Sequence, residues 1–170
     1  MIEGPLKVHL VLGISKGDRM DYAIQKSVEL GVVEITPMFS TYSDVKIKDK
    51  SRIEKKHHHW QRIARSACEQ CGRLSIPSIN EPVQFTDFIK NEFSDICIFL
   101  DPSGDRKLKR ISCNGNVCLI SGPEGGFAPS ELEIARKKVQ LVNLGPRILR
   151  AETAPVVALA ILQSEFGDLG

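Results

Sequence analysis

Val117-Cys118-Leu119-Ile120-Ser121-Gly122-Pro123-Glu124-Gly125-Gly126-Phe127 is an apolar run that breaks abruptly into glycines. Its first five residues show no polar alternation, so they predict a strand buried on both faces. Beyond the glycines, residues 130–138 have helical spacing, with Ser130 and Glu133 placed as a capping box. Strand, glycine turn and helix form the unit from which parallel sheets are built. The rest of the chain repeats it. Lys7–Gly13, residues 33–39, Ile96–Leu100 and residues 141–144 read as strands. Met20, Ala23, Ile24, Ser27 and Val28 share one helical face, which Gly31 should end. Residues 40–50 read as a polar, basic loop, and residues 51–71 as a long helix stopped near Gly72. Pro77 and Pro82 bracket a short connection, and Phe85, Phe88 and Ile89 suggest a turn or two of helix. A nearly all-apolar helix over residues 155–166 carries Pro155 in its first turn and ends at Gly167. The expected fold is α/β, one domain over residues 1–170, with a parallel sheet flanked by helices. Ligands of such sheets sit beyond the carboxyl ends of the strands. That singles out residues 101–105, 121–128 and 145–154.

The 170 residues suffice for one domain with a full core. The chain is 42% hydrophobic and 26% charged, which excludes a disordered polyelectrolyte. No apolar run is long enough for a membrane helix. Five cysteines without an extracellular signal suggest free thiols in a reducing cytoplasm. Cys68 and Cys71 form a Cys-x-x-Cys with His57, His58 and His59 upstream. They also continue the helical pattern of Ile53, Trp60, Ala64 and Ala67, and no second Cys-x-x-Cys completes a zinc site. No metal is expected. Net charge is only +2, yet residues 46–65 hold eight basic residues (Lys46, Lys48, Lys50, Arg52, Lys55, Lys56, Arg62, Arg65) against two acidic ones. A polyanion such as RNA fits that imbalance; a solvated loop and helix face accounts for the same charges.

Two segments carry chemistry. The first is Gly122-Pro123-Glu124-Gly125-Gly126. Glycines let a backbone approach a ligand or take positive φ. No Lys-Ser/Thr pair follows, so this is not a P-loop, and Glu124 would repel a phosphate. A ligand with an adenosine group and a cationic centre suits the loop; a tight structural turn is the other reading. The second is Leu144-Gly145-Pro146-Arg147-Ile148-Leu149-Arg150-Ala151-Glu152-Thr153, just before the apolar helix. Capping by Thr153 and a dipole contact from Glu152 explain two of these residues. The two arginines stay unexplained.

Taken together, Gly-Pro-Glu-Gly-Gly and the later Leu-Gly-Pro-Arg-Ile-Leu-Arg-Ala-Glu-Thr-Ala resemble the signature of the ribosomal RNA small subunit methyltransferase E family, of the SPOUT superfamily. Lys26-Ser27-Val28-Glu29-Leu30-Gly31-Val32, Ile35-Thr36-Pro37 and Glu69-Gln70-Cys71-Gly72-Arg73 extend the resemblance over nearly the whole chain. It implies S-adenosylmethionine as methyl donor, N3 of a uridine in 16S ribosomal RNA as acceptor, a C-terminal trefoil knot, and a homodimer. It implies a donor site at Gly122, Pro123, Glu124, Gly125, Gly126, Leu144, Gly145, Ile148, Leu149 and Thr153. Arg147, Arg150 and Arg73 become candidates to stabilise a uridine imide anion, with Glu152 to orient an arginine or take a proton. Ribose 2′-O or guanine N1 methylation, or a non-catalytic RNA-binding module, are the alternatives. The family usually begins with a PUA-like RNA-binding domain of about seventy residues; none is expected in residues 1–170, which read as a fragment or as a shortened member of the family.

Overall fold

The structure, a computed structural model, describes residues 3–43, 49–93 and 95–170. Strand β1 is Lys7–Gly13, helix α1 Gly17–Glu29, strand β2 Glu34–Phe39 and helix α2 Lys50–Cys71. Two short strands follow, β3 at Ser78–Ile79 and β4 at Val83–Gln84, then the single-turn helix α3, Phe85–Phe88. Strand β5 is Ile96–Leu100, β6 is Arg106–Lys107 with a 3₁₀ turn at Leu108–Arg110, and β7 is Asn116–Ser121. Helix α4 is Pro129–Lys138, strand β8 Gln140–Asn143 and helix α5 Thr153–Phe166.

The sheet runs in the order β3-β2-β1-β7-β5-β8-β6, with β4 paired to the far half of β2. Every pairing is parallel. Alternation along β1 sorts its side chains to two cores. Val8, Leu10 and Leu12 join Ile24 of α1, Trp60 of α2 and Leu159 of α5 on one face. Val11 joins Phe85, Phe99, Phe127 and Ala135 of α4 on the other. Each fully buried Leu or Phe contributes about 1.5–3 kcal/mol over its exposed state. This accounts for apolar strands with no polar face.

The helices follow from local signals. α1 buries Met20, Ala23, Ile24, Ser27 and Val28, the face its spacing predicts. α2 ends at Gly72, whose φ of 77° is the left-handed stop expected there. Cys68, buried on α2, donates to Ser75 O, and Cys71 to Cys68 O. One expectation needs correction. Ser130 and Glu133 do not cap α4. The helix starts earlier, at Pro129, and the buried Glu131 carboxylate accepts from the Ala128 N–H at 2.8 Å. β3, β4 and β6 have only two residues each, too few to show a period in sequence. Of the expected basic loop, Lys46 and Lys48 lie outside the described residues.

Candidate active site at the carboxyl ends of the central strands

β1, β7, β5 and β8 are adjacent and end on the same edge of the sheet. A cleft of about 380 Å³ opens there, within the usual range for small-molecule sites. The three loops expected from sequence all reach it, through Pro102, Gly122 and Arg147 among others. A fourth contribution, Arg19 from the first turn of α1, carried no sequence signal.

Close packing sets the floor of the cleft. A Cβ on Gly13, the last residue of β1, would lie 2.3 Å from Pro123 N, so only glycine lets the loop after β7 cross it. Phe127 anchors that loop below, its ring 4.4 Å from the Phe99 ring. Gly126 N–H donates to Pro123 O at 2.9 Å and closes the turn. Asn143, at the end of β8, donates from Nδ2 to Gly104 O at 2.6 Å and accepts at Oδ1 from Gly145 N–H at 3.1 Å. It thereby ties the loops after β5 and β8 together, a role no sequence pattern suggested.

The polar groups of the cleft are unevenly satisfied. Glu124 Oε1 accepts from Arg19 Nη1 and from the Lys16 N–H, each at 3.3 Å. Its other oxygen, Oε2, is buried without a partner, and so is Oε2 of Glu152. Arg147 and Arg150 are exposed on the cleft wall. Among the described residues neither guanidinium has an ion pair or hydrogen bond. Leu100, Val142, Leu144 and Leu149 supply apolar wall. The cleft therefore offers apolar surface, buried carboxylate oxygens that want N–H, O–H or cationic partners, and free guanidinium groups for an anion.

Most of the expected site residues meet here: Gly122, Pro123, Glu124, Gly126, Leu144, Gly145, Arg147, Ile148, Leu149, Arg150 and Glu152 all line the cleft. Three do not. Gly125 does not line the cleft, and a Cβ there would lie 2.9 Å from both Cβ and O of Tyr42, so the absence of a side chain admits the 40–43 segment. Thr153 is the first residue of α5, and the helix has no side-chain cap, so the expected capping by Thr153 is absent. Arg73 is at the other end of the sheet. Its side chain is only 5% exposed, with Nη1 donating to Val28 O and Val32 O at 2.9 and 2.8 Å and Nη2 to Glu3 at 2.8 Å. These partners precede β1 and β2, whereas the cleft lies beyond the strands' carboxyl ends. No group of three or more His, Cys, Asp or Glu is placed to hold a metal among the described residues, and none of their helices is long and apolar enough to cross a membrane.

An α/β domain with a nucleoside-sized cleft at the carboxyl edge of a parallel sheet is a frame shared by many nucleotide-cofactor enzymes. Comparison narrows it. Residues 2–163 match the RNA methyltransferase domain family. Ribosomal RNA small subunit methyltransferase E of Buchnera aphidicola subsp. Schizaphis graminum is 42% identical over 99% of this chain and 69% of its own length. The enzyme of the same name from Bacillus subtilis is 32% identical over 94% of this chain and 66% of its own. The structure of ribosomal RNA small subunit methyltransferase E from Neisseria gonorrhoeae, bound to S-adenosyl methionine, superposes with a TM-score of 0.92 at 38% identity, covering 99% of this chain and 70% of that one. The chain belongs to the RNA methyltransferase domain family and, within it, to ribosomal RNA small subunit methyltransferase E. It spans about two thirds of the length of these relatives.

Proposed function

We propose that this chain is an S-adenosylmethionine-dependent methyltransferase acting on N3 of a uridine in 16S ribosomal RNA of the small subunit. One observation carries the reading: the two motif segments, 121–127 and 144–152, line a single cleft that holds two buried carboxylate oxygens without protein partners. Those oxygens fit a donor with hydroxyl, amine and sulfonium groups and no phosphate. Gly122, Pro123, Glu124 and Gly126 would hold the donor on one side, and Leu144, Gly145, Ile148 and Leu149 on the other. When bound, S-adenosylmethionine supplies a methyl group already activated on sulfur, so no metal is required.

The chain's own residues do the rest. N3 of uridine is a weakly acidic imide, and its reactive form is the anion. Arg147 and Arg150, free and on the cleft wall, favour that anion by hydrogen bonding at O2 or O4 of the base. Glu152, between them and α5, orients a guanidinium or takes the proton. The target base must leave its stack to reach the cleft. In this reading residues 1–170 form one methyltransferase domain, with the superfamily's knot threading the 121–128 and 144–154 loops.

Assembly is proposed as a homodimer. Ile148 is 85% exposed at the cleft rim, and Val156, Val157 and Ile161 of α5 are only half-buried, while Ala158, Leu159 and Leu162 fill the core. A second copy related by two-fold symmetry would cover them. The five free thiols fit a reducing cytoplasm.

The test combines a calorimetric titration of S-adenosylmethionine with nucleoside mass spectrometry of unmodified small-subunit RNA incubated with chain and donor. Donor binding and 3-methyluridine are expected. A 2′-O-methylnucleoside or 1-methylguanosine would redirect the reaction class, and no donor binding would leave only an RNA-binding module. Light scattering at micromolar concentration should give twice the chain mass.

A further inference from the structure

Several described cations outside the cleft are paired: Lys26 with Glu29 at 2.9 Å, Lys90 with Asp87 at 3.6 Å and Lys137 with Glu133 at 3.4 Å. Others, such as Lys109 and Arg110 of the 3₁₀ turn, have no side-chain ion pair or hydrogen bond among the described residues. Helix α2 concentrates such unpaired cations. It carries six basic residues (Lys50, Arg52, Lys55, Lys56, Arg62, Arg65) against two acidic ones, Glu54 and Glu69. Among the described residues none of the six has a side-chain ion pair or hydrogen bond.

Helical geometry gathers these charges. Trp60, Ala64, Ala67 and Cys68 mark the buried side of α2. At about 100° per residue, Lys55, Arg62 and Arg65 fall on the opposite side, with Arg52 at its margin; all four are exposed. The stripe from Arg52 to Arg65 is about 20 Å long at 1.5 Å per residue. Like charges three and four residues apart destabilise a helix standing alone, and among the described residues none of these four pairs with an acidic side chain.

Helix α2 is also linked to the cleft through α1. His59 Nε2 lies 2.8 Å from the Asp21 carboxylate in α1, and Arg19, two residues before Asp21, lines the cleft. On the other side, the 40–43 segment packs against Gly125 through Tyr42 and against Glu131 through the Thr41 N–H. Helix α2 thus packs on α1, the helix that supplies Arg19 to the cleft.

We infer that the solvent face of α2 binds the phosphate backbone of the RNA substrate and guides the strand to the cleft. The inference rests on the RNA methylation proposed above. Unpaired lysines and arginines on an extended face give sequence-independent, salt-sensitive affinity, while selection of the base stays with the cleft.

The experiment uses the full chain and an unmodified small-subunit RNA transcript. Binding is measured across a series of salt concentrations for wild type, for Lys55→Gln/Arg62→Gln, and for Lys90→Gln/Lys137→Gln as a control on paired cations. The α2 variant should bind RNA more weakly, and its plot of log affinity against log salt should flatten by about one unit per residue changed. Its melting temperature and its S-adenosylmethionine affinity should match wild type. The control should keep both affinity and slope. Unchanged RNA affinity in the α2 variant, or an equal loss in the control, overturns the inference. If the double variant folds poorly, the single variants are read the same way, each with half the change in slope. Failure of wild type to bind the donor would instead strike the proposed function, because the α2 surface is judged on RNA binding alone.

Discussion

Arg73 and Arg150 sit at opposite ends of one sheet and are used in opposite ways. Arg73 is sunk under the end of α1, with its guanidinium spent on Val28 O, Val32 O and Glu3. Arg150 stands exposed on the cleft wall and has no described partner for its guanidinium. The contrast extends to carboxylates. At the start of β2 the half-exposed Glu34 accepts from Asn80, while at the cleft Glu124 and Glu152 each keep a buried oxygen unpaired. Polar groups that a fold needs are satisfied by the fold. Neutral oxygens of Ser27 and Gln163 are also buried without partners away from the cleft, so what sets the cleft apart is that its unpartnered oxygens belong to carboxylates, whose desolvation costs more.

The largest expected effect tests the unsatisfied end. Arg150→Ala should keep the fold, with stability within about 0.5 kcal/mol as for a surface change. It should lose most methyl transfer, about 2–4 kcal/mol of transition-state stabilisation by analogy with lost oxyanion-hole donors. Arg147→Ala should follow in direction. Lysine should rescue poorly, because it cannot reproduce a planar two-donor contact. Single-turnover methylation with saturating donor, beside a thermal melt, reads both quantities. Near-normal rates in both alanine variants would remove these arginines from the mechanism.

The satisfied end should behave in reverse. Arg73→Ala strips donors from two carbonyls and leaves Glu3 unpaired, so stability should fall by about 2–3 kcal/mol. The rate per folded molecule should stay near wild type. Urea unfolding together with single-turnover assays on the folded fraction checks this, and a stable but inactive Arg73→Ala would erase the contrast between the two ends.

Gly125→Val probes a wall of the cleft from behind. Its side chain would press on Tyr42, and overpacking of this kind costs about 1–3 kcal/mol. Gly125→Ala should cost less. The loss should show in the melt first, with donor affinity following only as the loop shifts. Weakened donor binding at unchanged stability would instead put Gly125 in contact with the donor.

The smallest effect is expected at Glu152→Gln. Removing a charge whose buried oxygen lacks a partner should leave the free protein as stable as before or more so. Donor affinity should drop by about 1.4 kcal/mol, or tenfold. Equal affinity by calorimetry would show that this oxygen points at RNA or at a second subunit.

The main elements were legible because each is encoded locally. The period of Met20, Ala23, Ile24, Ser27 and Val28 is a helix face wherever it occurs, and it is buried here as that period requires. The glycines at 122–126 and the arginines at 147 and 150 stood out for the same reason, being unusual residues at predictable strand ends. Arg73 misled because its neighbours matched a functional family while its own surroundings were invisible. Nothing in residues 69–77 reveals the carbonyls of Val28 and Val32 waiting at the end of another helix.

Sequence by itself thus determined the class of fold, the edge of the sheet where the cleft opens and the two segments that line it, since periodicity and turn chemistry act over a few residues. Tertiary structure alone decided which candidates share the cleft. It paired Glu124 with Arg19 across 105 positions, turned Gly125 toward Tyr42, and withdrew Arg73 into the opposite end. Those outcomes depend on which groups the fold leaves without partners, and a partner's identity is set by contacts between distant segments that no local pattern contains.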